Sequence, residues 1–153
     1  MSGVFFMQIR NAKLSDSDDI LNWRNDDVSR LMSVDSELIS RPSHLKWFTR
    51  ALNKNSCYLF IGEKNKIKIG VVRFDCDIKN FISIVSINLN PKMRGLGLAT
   101  NLLDLSIKMV PDFQQFLFQA AIKEENIISK KIFKKCGFKI KHSNEGLDYF
   151  ILK

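Results

Sequence analysis

Apolar residues recur along this chain at two spacings, one typical of helices and the other typical of strands. Leucines repeat at helical intervals within residues 97–110, and Pro111 ends the helix that this pattern predicts. The stretch FISIVSINL, residues 81–89, alternates serine with isoleucine and predicts a strand. The chain therefore combines both kinds of element.

The two spacings, applied to the whole chain, predict seven strands and four helices. The strands are expected at 4–10, 57–63, 66–74, 81–89, 116–122, 137–141 and 147–153, and the helices at 15–26, 42–54, 97–110 and 126–135. Ser15 and Ser43 are the predicted N-caps of the first two helices, which a polar segment without a predicted element separates. This order predicts one α/β domain over residues 1–153, with a sheet of mixed strand direction and helices on both faces.

Composition narrows the class of protein. A chain of 153 residues with 45% hydrophobic residues suits one globular domain. It has no apolar run near the roughly 20 residues of a membrane span, and its opening MSGVFFM lacks the basic start of a signal peptide. We therefore expect a cytoplasmic protein. The three cysteines and two histidines are too scattered to predict a disulfide or a metal site.

The net charge of +8 leaves three interpretations open. The lysines are dispersed, and the densest group, residues 129–141, alternates with apolar residues. Solvated surface is the first interpretation, a phosphate-rich small ligand the second and nucleic acid the third.

An arginine and two glycines, Arg94, Gly95 and Gly97, lie where a predicted strand meets a predicted helix. Backbone N–H groups at a helix start can bind an anion, and glycine lets a phosphate approach them. Two glycines alone are equally consistent with a tight turn needed for steric reasons. The dinucleotide fingerprint and the GxxxxGK[ST] phosphate loop are both absent.

Two longer motifs make one family resemblance specific. RGLGLA, residues 94–99, fits the pattern [QR]-x-x-G-x-[GA] and follows LNP, while NIISKKIFKKCGF begins at Asn126 and carries Ser129 and Phe133. In this order and spacing they resemble the acetyl-CoA loop and the second signature of the GNAT N-acetyltransferase superfamily. The order of predicted elements is also similar to that of the family. The resemblance implies a sheet whose fourth and fifth strands splay apart around acetyl-CoA, used as a co-substrate with no metal.

The resemblance also implies roles for individual residues. The backbone of Ile87 and Leu89 would bind the pantetheine arm, and the Leu89 N–H would polarise the thioester carbonyl. Residues implied in cofactor binding by the two motifs are Arg94, Gly95, Leu96, Gly97, Leu98, Ala99, Asn126, Ser129 and Phe133. The amine attacks the thioester directly, so no enzyme nucleophile is needed.

Neither the general base nor the general acid is evident. The predicted fourth strand contains no glutamate or aspartate to serve as base, and Phe133 occupies the position of the general-acid tyrosine that is frequent in the family. His44 and Asp75 are the predicted candidates, followed by Asp77, Ser86 and Asn88. Cys136 is expected in the core.

For the acceptor, Trp-Arg-Asn followed by His-x-x-Trp resembles a subgroup that acetylates amino sugars on nucleotide carriers, in pseudaminic-acid synthesis. The implied acceptor is a UDP-linked 4-amino-4,6-dideoxy sugar, and the expected contacts are Trp23, Arg24, Asn25, His44 and Trp47. The alternative for Trp23 and Trp47 is that they anchor their helices in the core. Alternative acceptors are a protein N-terminus, a ribosomal protein or a small amine. A non-catalytic acetyl-CoA sensor and a nucleic-acid-binding module are the alternatives from other classes, with nucleic acid the less expected. The sequence carries no signal for an oligomeric state.

Overall fold

A computed structural model describes residues 6–153, which contain seven strands and five helices longer than one turn of 3-10 helix. They are β1 Gln8–Asn11, α1 Ser17–Asn25, α2 Asp27–Met32, α3 Arg41–Leu52, β2 Cys57–Lys64, β3 Ile67–Asp77, β4 Ile82–Leu89, α4 Ala99–Met109, β5 Leu117–Lys123, α5 Ile127–Lys135, β6 Lys139–Asn144 and β7 Leu147–Leu152. The first two residues of the strand predicted at 4–10 lie outside the described residues. The other predicted strands and helices are confirmed, with shifts at their ends.

All seven strands form one sheet, in the order β1-β2-β3-β4-β5-β7-β6. Neighbouring strands are antiparallel except β4 and β5, which are parallel. This confirms the predicted mixed, mostly antiparallel sheet. None of the helices between residues 6 and 153 is long and apolar enough to cross a membrane.

Helices cover both faces of the sheet, as the order of elements predicted. On one face, Leu102 and Leu103 of α4 and Phe133 of α5 pack into the larger core. On the other face, Trp23 of α1 and Phe48 of α3 pack into a second core against β2 and β3. The helices on this second face pack mainly against the β2–β3 half of the sheet.

Helix α2 was not predicted. It has no buried residue, and its Val28 and Leu31 are more than half exposed, so its sequence carries no core-facing stripe. Its start is stabilised by Asp26, whose carboxylate accepts a hydrogen bond from the Ser29 N–H. This Asp-x-x-Ser cap was the available signal for a helix in the segment.

Both predicted N-caps are wrong by a few residues. Ser15 lies within a 3-10 helix, Leu14–Asp16, that precedes α1. The cap of α3 is Ser40, whose hydroxyl accepts a hydrogen bond from the Ser43 N–H at 3.3 Å. Ser43 therefore lies inside the first turn, because the helix begins at Arg41 with proline in its first turn.

A buried ion cluster joins β1 to the start of α1. The Asp16 side chain is 1% exposed and accepts hydrogen bonds from Arg10 at 2.8 and 2.9 Å and from the Lys13 N–H at 2.8 Å. The Lys68 ammonium lies 2.7 Å from the same carboxylate. Burial acts to raise the pKa of Asp16, but these contacts outweigh it and hold the pKa well below its usual range.

This cluster predicts a pH-dependent loss of stability. A carboxyl group whose pKa is lower in the folded chain stabilises the fold above its unfolded pKa of about 3.9, and that stabilisation disappears as the pH falls further. Urea unfolding should show the wild type losing about 2 kcal/mol more than Asp16→Asn between about pH 5 and pH 2, because Asn cannot titrate. Glu37→Gln, at an exposed site, should behave like the wild type. Equal pH slopes for wild type and Asp16→Asn would contradict this prediction.

Candidate active site

The parallel pair β4 and β5 separates partway along its length. Cα pairing runs from Ile82↔Leu117 to Ile84↔Gln119 and, among the described residues, goes no further. Yet β4 continues to Leu89 along β3, and β5 continues along β7. Each arm is held by its outer neighbour, so a V-shaped cleft opens between them.

Main-chain groups of the β4 arm face this cleft. The Asn90 N–H donates to the Ile69 carbonyl, and hydrogen-bonded pairs alternate along an antiparallel ladder. The even-numbered residues of β4 therefore bond to β3, while Ile87 and Leu89 direct their N–H and C=O groups the other way. Beyond Ile84 that direction leads into the cleft.

The glycine turn lies directly after the β4 arm. Gly95 and Gly97 have φ angles of +73° and +72°, a region that disfavours other residues, and no described atom lies within 4 Å of a Cβ built on either. Positive φ rather than crowding therefore explains both glycines. The turn is exposed and leads into α4, whose N-cap Leu98 makes no side-chain cap, so the first N–H groups of the helix have no cap partner. Backbone donors and a helix dipole thus meet at an open surface.

Helix α2 connects both sides of this cleft. The Arg94 guanidinium donates to Asp26 at 2.5 Å and to the Ser29 hydroxyl at 2.6 Å, which ties the glycine turn to the start of α2. This contact lowers the pKa of Asp26. The Lys123 ammonium, at the end of β5, donates to the Leu31 carbonyl at 2.8 Å. The short helix therefore spans the open end of the V.

The second motif forms the start of α5, immediately after the β5 arm. The Asn126 side chain caps this helix by accepting a hydrogen bond from the Ser129 N–H at 3.1 Å. Phe133 is 2% exposed and packs edge-on against Phe138, with ring centroids 4.9 Å apart. Asn126 and Ser129 thus adjoin the β5 arm, whereas Phe133 belongs to the core.

A polar surface lies on the α1–α3 side of the sheet near the cleft. Side chains alternate along β3, so Arg73 and Asp75 point to the same side as Val71, which packs in the second core. Ser86 of β4 lies opposite Arg73 in the ladder. Trp47 stacks on the Arg73 guanidinium, 5.3 Å from the ring centroid, and its side chain remains 37% exposed.

Comparison with known proteins now decides the family. Residues 7–139 match the family described as the acetyltransferase (GNAT) domain. This chain belongs to the GNAT acetyltransferase family. The family resemblance read from the two motifs is therefore confirmed.

Solved structures agree on the fold of this GNAT domain. A spermidine N-acetyltransferase from Vibrio cholerae, in complex with CoA and spermine, is 16% identical with a TM-score of 0.82, and the match covers 95% of this chain and 92% of that one. An N-acetyltransferase from Staphylococcus aureus Mu50 is 22% identical with a TM-score of 0.76, covering 96% and 98%. A search of curated proteins found no significant match.

The predicted catalytic residues are not brought together in this GNAT domain. His44 is 3% exposed, stacks on Phe48 with ring centroids 5.5 Å apart, and has its pKa lowered by burial. Asp75 lies opposite Ile84, and Leu89 lies five residues further along β4, or about 17 Å at strand spacing. The Asp75 side chain is therefore out of hydrogen-bonding reach of a group bound at the Leu89 N–H, and the His44 ring is buried beside Trp47 and Phe48.

The remaining proton-transfer candidates differ in their surroundings. Asp77 is engaged in a turn, accepting hydrogen bonds from both nitrogens of Asn80. Burial raises the pKa of the Cys136 thiol to about 11, so it stays protonated near neutral pH. Ser86 has a buried hydroxyl without a hydrogen-bond partner in the described residues, and Asn88 lies one residue before Leu89.

Two of the predicted acceptor contacts have structural partners instead. Trp23 is 6% exposed within the second core. Asn25 donates to the Ile39 carbonyl at 2.8 Å and accepts from the Ile39 N–H at 2.9 Å, which holds the segment before α3. Three predicted contacts keep an exposed or unpartnered group within the described residues: Trp47 is 37% exposed, and Nη1 of Arg24 and Nε2 of His44 are buried without a hydrogen-bond partner. No group of three potential metal ligands occurs within residues 6–153.

Proposed function

We propose that this GNAT domain transfers the acetyl group of acetyl-CoA to the amino group of a nucleotide-linked amino sugar, such as a UDP-4-amino-4,6-dideoxy sugar. The observation that carries acetyl transfer is the separation of β4 from β5 beyond Ile84, which leaves main-chain groups of Ile87 and Leu89 facing a cleft. The glycine turn at the end of the same arm supplies donors for phosphate. The cleft and the turn therefore fit the two ends of acetyl-CoA.

In this proposal each part of the chain has one task. The N–H groups of residues 94–99 bind the pyrophosphate, with Arg94 adding a guanidinium whose contacts to α2 use Nη2. Ile87 and Leu89 hold the pantetheine arm through the backbone, and Asn126 and Ser129 border it from the β5 side. Acetyl-CoA supplies an activated thioester.

The Leu89 N–H donates to the thioester carbonyl oxygen as negative charge develops there. The neutral amine attacks the carbonyl carbon, so that a carbon–nitrogen bond forms, the carbon–sulfur bond breaks, and the thiolate leaves with the electron pair. The amine loses one proton and the thiolate gains one. Since Asp75 lies far from Leu89 along the sheet and His44 is buried, we infer that water near Ser86 and Asn88 carries the amine proton.

The acceptor is proposed to lie on the polar surface around Trp47. An indole that is 37% exposed can stack on the face of a sugar or a base, and Arg73 lies against it. The fold shared with a spermidine N-acetyltransferase makes a small amine the second candidate. The three free thiols, Cys57, Cys76 and Cys136, are in keeping with a proposed cytoplasmic location.

An acceptor screen tests this proposal. The protein is incubated with acetyl-CoA and, separately, the UDP-4-amino sugar, spermidine, or a peptide with a free N-terminus, and released CoA thiol is measured. Turnover should be fastest with the sugar nucleotide. Turnover with spermidine alone would establish the small-amine alternative, and binding of acetyl-CoA without turnover on any amine would establish a sensor.

A further inference from the structure

Four buried polar atoms on the proposed acceptor surface have no hydrogen-bond partner within the described residues. They are Nη1 of Arg24, Nε of Arg30, Nε of Arg73 and Oγ of Ser86. The three arginines come from α1, α2 and β3, and Ser86 from β4. Buried donors without partners are uncommon in folded proteins and destabilise them. A ligand that accepts hydrogen bonds would remove this cost.

Arg24 and Arg30 donate to the neighbouring main-chain carbonyls of Asp35 and Ser36, and Arg73 lies close enough for its charge to act on the Arg24 guanidinium. Burial lowers the pKa of Arg24, Asp35 opposes this effect, and the positive charges of Arg73 and Arg30 lower it further. Repulsion between these positive charges raises the free energy of the folded chain, and a bound anion would reduce that repulsion.

Nearby acids leave this charge only partly balanced. Asp27 contacts Arg30 at 3.2 Å, but its side chain is 88% exposed. Asp75 lies 3.0 Å from Arg73 Nε, yet that N–H does not point at the carboxylate, so the two form an ion pair without a hydrogen bond. Arg24 donates Nη2 to the main-chain carbonyl of Asp35 rather than to its carboxylate. Each arginine therefore keeps a buried donor that its neighbouring acid does not use.

We propose that Arg24, Arg30 and Arg73, with Ser86, form a subsite for a phosphate or diphosphate group of the acceptor. This deepens the proposed function and rests on it, since the acceptor must lie on this side of the sheet. Planar guanidinium forks match phosphate oxygens in pairs, and the stacking of Trp47 on Arg73 holds one fork in place.

The position of the subsite suits an amine that carries phosphate. Ser86, opposite Arg73, lies three residues from Leu89, or about 10 Å along the strand. A sugar ring with an attached phosphate can span that distance. A polyamine would instead bring positive charge to three arginines, so we expect this chain to reject spermidine although it shares a fold with a spermidine N-acetyltransferase.

Binding of inorganic pyrophosphate tests the subsite without requiring turnover. Calorimetry is done with CoA at saturating concentration, so that the glycine turn is already occupied. Pyrophosphate should bind the wild type, and Arg73→Gln should weaken this binding about 10-fold or more, with Arg73→Lys intermediate because it keeps the charge but loses the fork. Arg50→Gln, an exposed arginine on α3, is the matched charge control and should bind as the wild type does. Unfolding midpoints of all variants show whether each is folded.

Kinetics separates this proposal from the proposed function. Arg73→Gln should raise the KM for the sugar nucleotide about 10-fold while changing kcat and the KM for acetyl-CoA by less than about 3-fold. For the wild type, the KM of an amino sugar 1-phosphate and that of the nucleotide-linked sugar should both be lower than the KM of the unphosphorylated amino sugar. Whichever of the two phosphorylated substrates has the lower KM shows whether the subsite binds a monophosphate or a diphosphate. No pyrophosphate binding, or binding that Arg73→Gln leaves unchanged, would overturn the subsite. Absence of acetyl transfer together with arginine-dependent pyrophosphate binding would overturn the proposed function alone.

Discussion

Gly97→Glu is expected to weaken acetyl-CoA binding about 100-fold, equivalent to about 2.7 kcal/mol. The turn around Gly97 is exposed, and a Cβ there would meet no described atom, so the side chain would extend into the space proposed for the pyrophosphate. A carboxylate close to the diphosphate adds like-charge repulsion and blocks the backbone donors. Calorimetric titration with acetyl-CoA measures the effect.

Gly146→Glu provides the matched control for this substitution. Gly146 has a φ angle of +78°, close to that of Gly97, and a Cβ at this position would likewise have no described atom within 4 Å. Both variants therefore carry the same backbone strain and the same added charge, but Gly146 lies in the β6–β7 turn. If both variants lose a similar amount of stability but only Gly97→Glu loses acetyl-CoA affinity, the glycine turn is supported as the pyrophosphate site. Unchanged affinity in folded Gly97→Glu would remove the turn from the cofactor site.

Leu89→Pro is expected to lower kcat by about 100- to 1,000-fold, the range observed when one oxyanion-hole donor is removed. Proline has no N–H, and the Leu89 N–H faces the cleft rather than β3, so the substitution removes no hydrogen bond from the ladder. The Kd for CoA should change much less, because the donor acts mainly on charge that develops during the reaction. Steady-state kinetics and calorimetry together separate the two quantities.

Leu89→Ala is the companion variant, since it shortens the side chain and keeps the N–H. Its kcat should stay within about 5-fold of the wild type, although its stability falls because Leu89 packs partly against the larger core. If Leu89→Pro kept wild-type kcat in a folded protein, the main-chain donor would have to lie elsewhere. If Leu89→Ala lost as much activity as Leu89→Pro, side-chain packing would be the cause.

The glycine turn and the start of α5 could be predicted from the sequence because the signals for both are local. Positive φ at Gly95 and Gly97 and capping by Asn126 involve residues within a few positions of one another. The parallel pairing of β4 and β5 also follows from a helical connection between consecutive strands. The family motifs summarise these local requirements, which is why two short stretches of sequence identified the GNAT fold.

The acceptor half could not be predicted in the same way. The residue types of three predicted contacts suit a polar or aromatic binding site. Yet His44 and Trp23 are buried, and Asn25 is hydrogen-bonded to the main chain of Ile39. Their surroundings come from the packing of α1 against α3, at sequence separations that a local pattern does not encode. Helix α2 was missed for a related reason, since it is stabilised by its cap and by contacts with the two arms of the cleft.

The sequence by itself determined the family, the order of elements other than α2 and the glycine turn, because each depends on short-range geometry and on the spacing of apolar residues. Only the tertiary structure decided which charges face one another. Arg24, Arg30 and Arg73 come from α1, α2 and β3, and each has a buried donor without a hydrogen-bond partner in the described residues. Electrostatic energy depends on distance in space, so the anionic acceptor that we propose is inferred from the fold and not from any local sequence pattern.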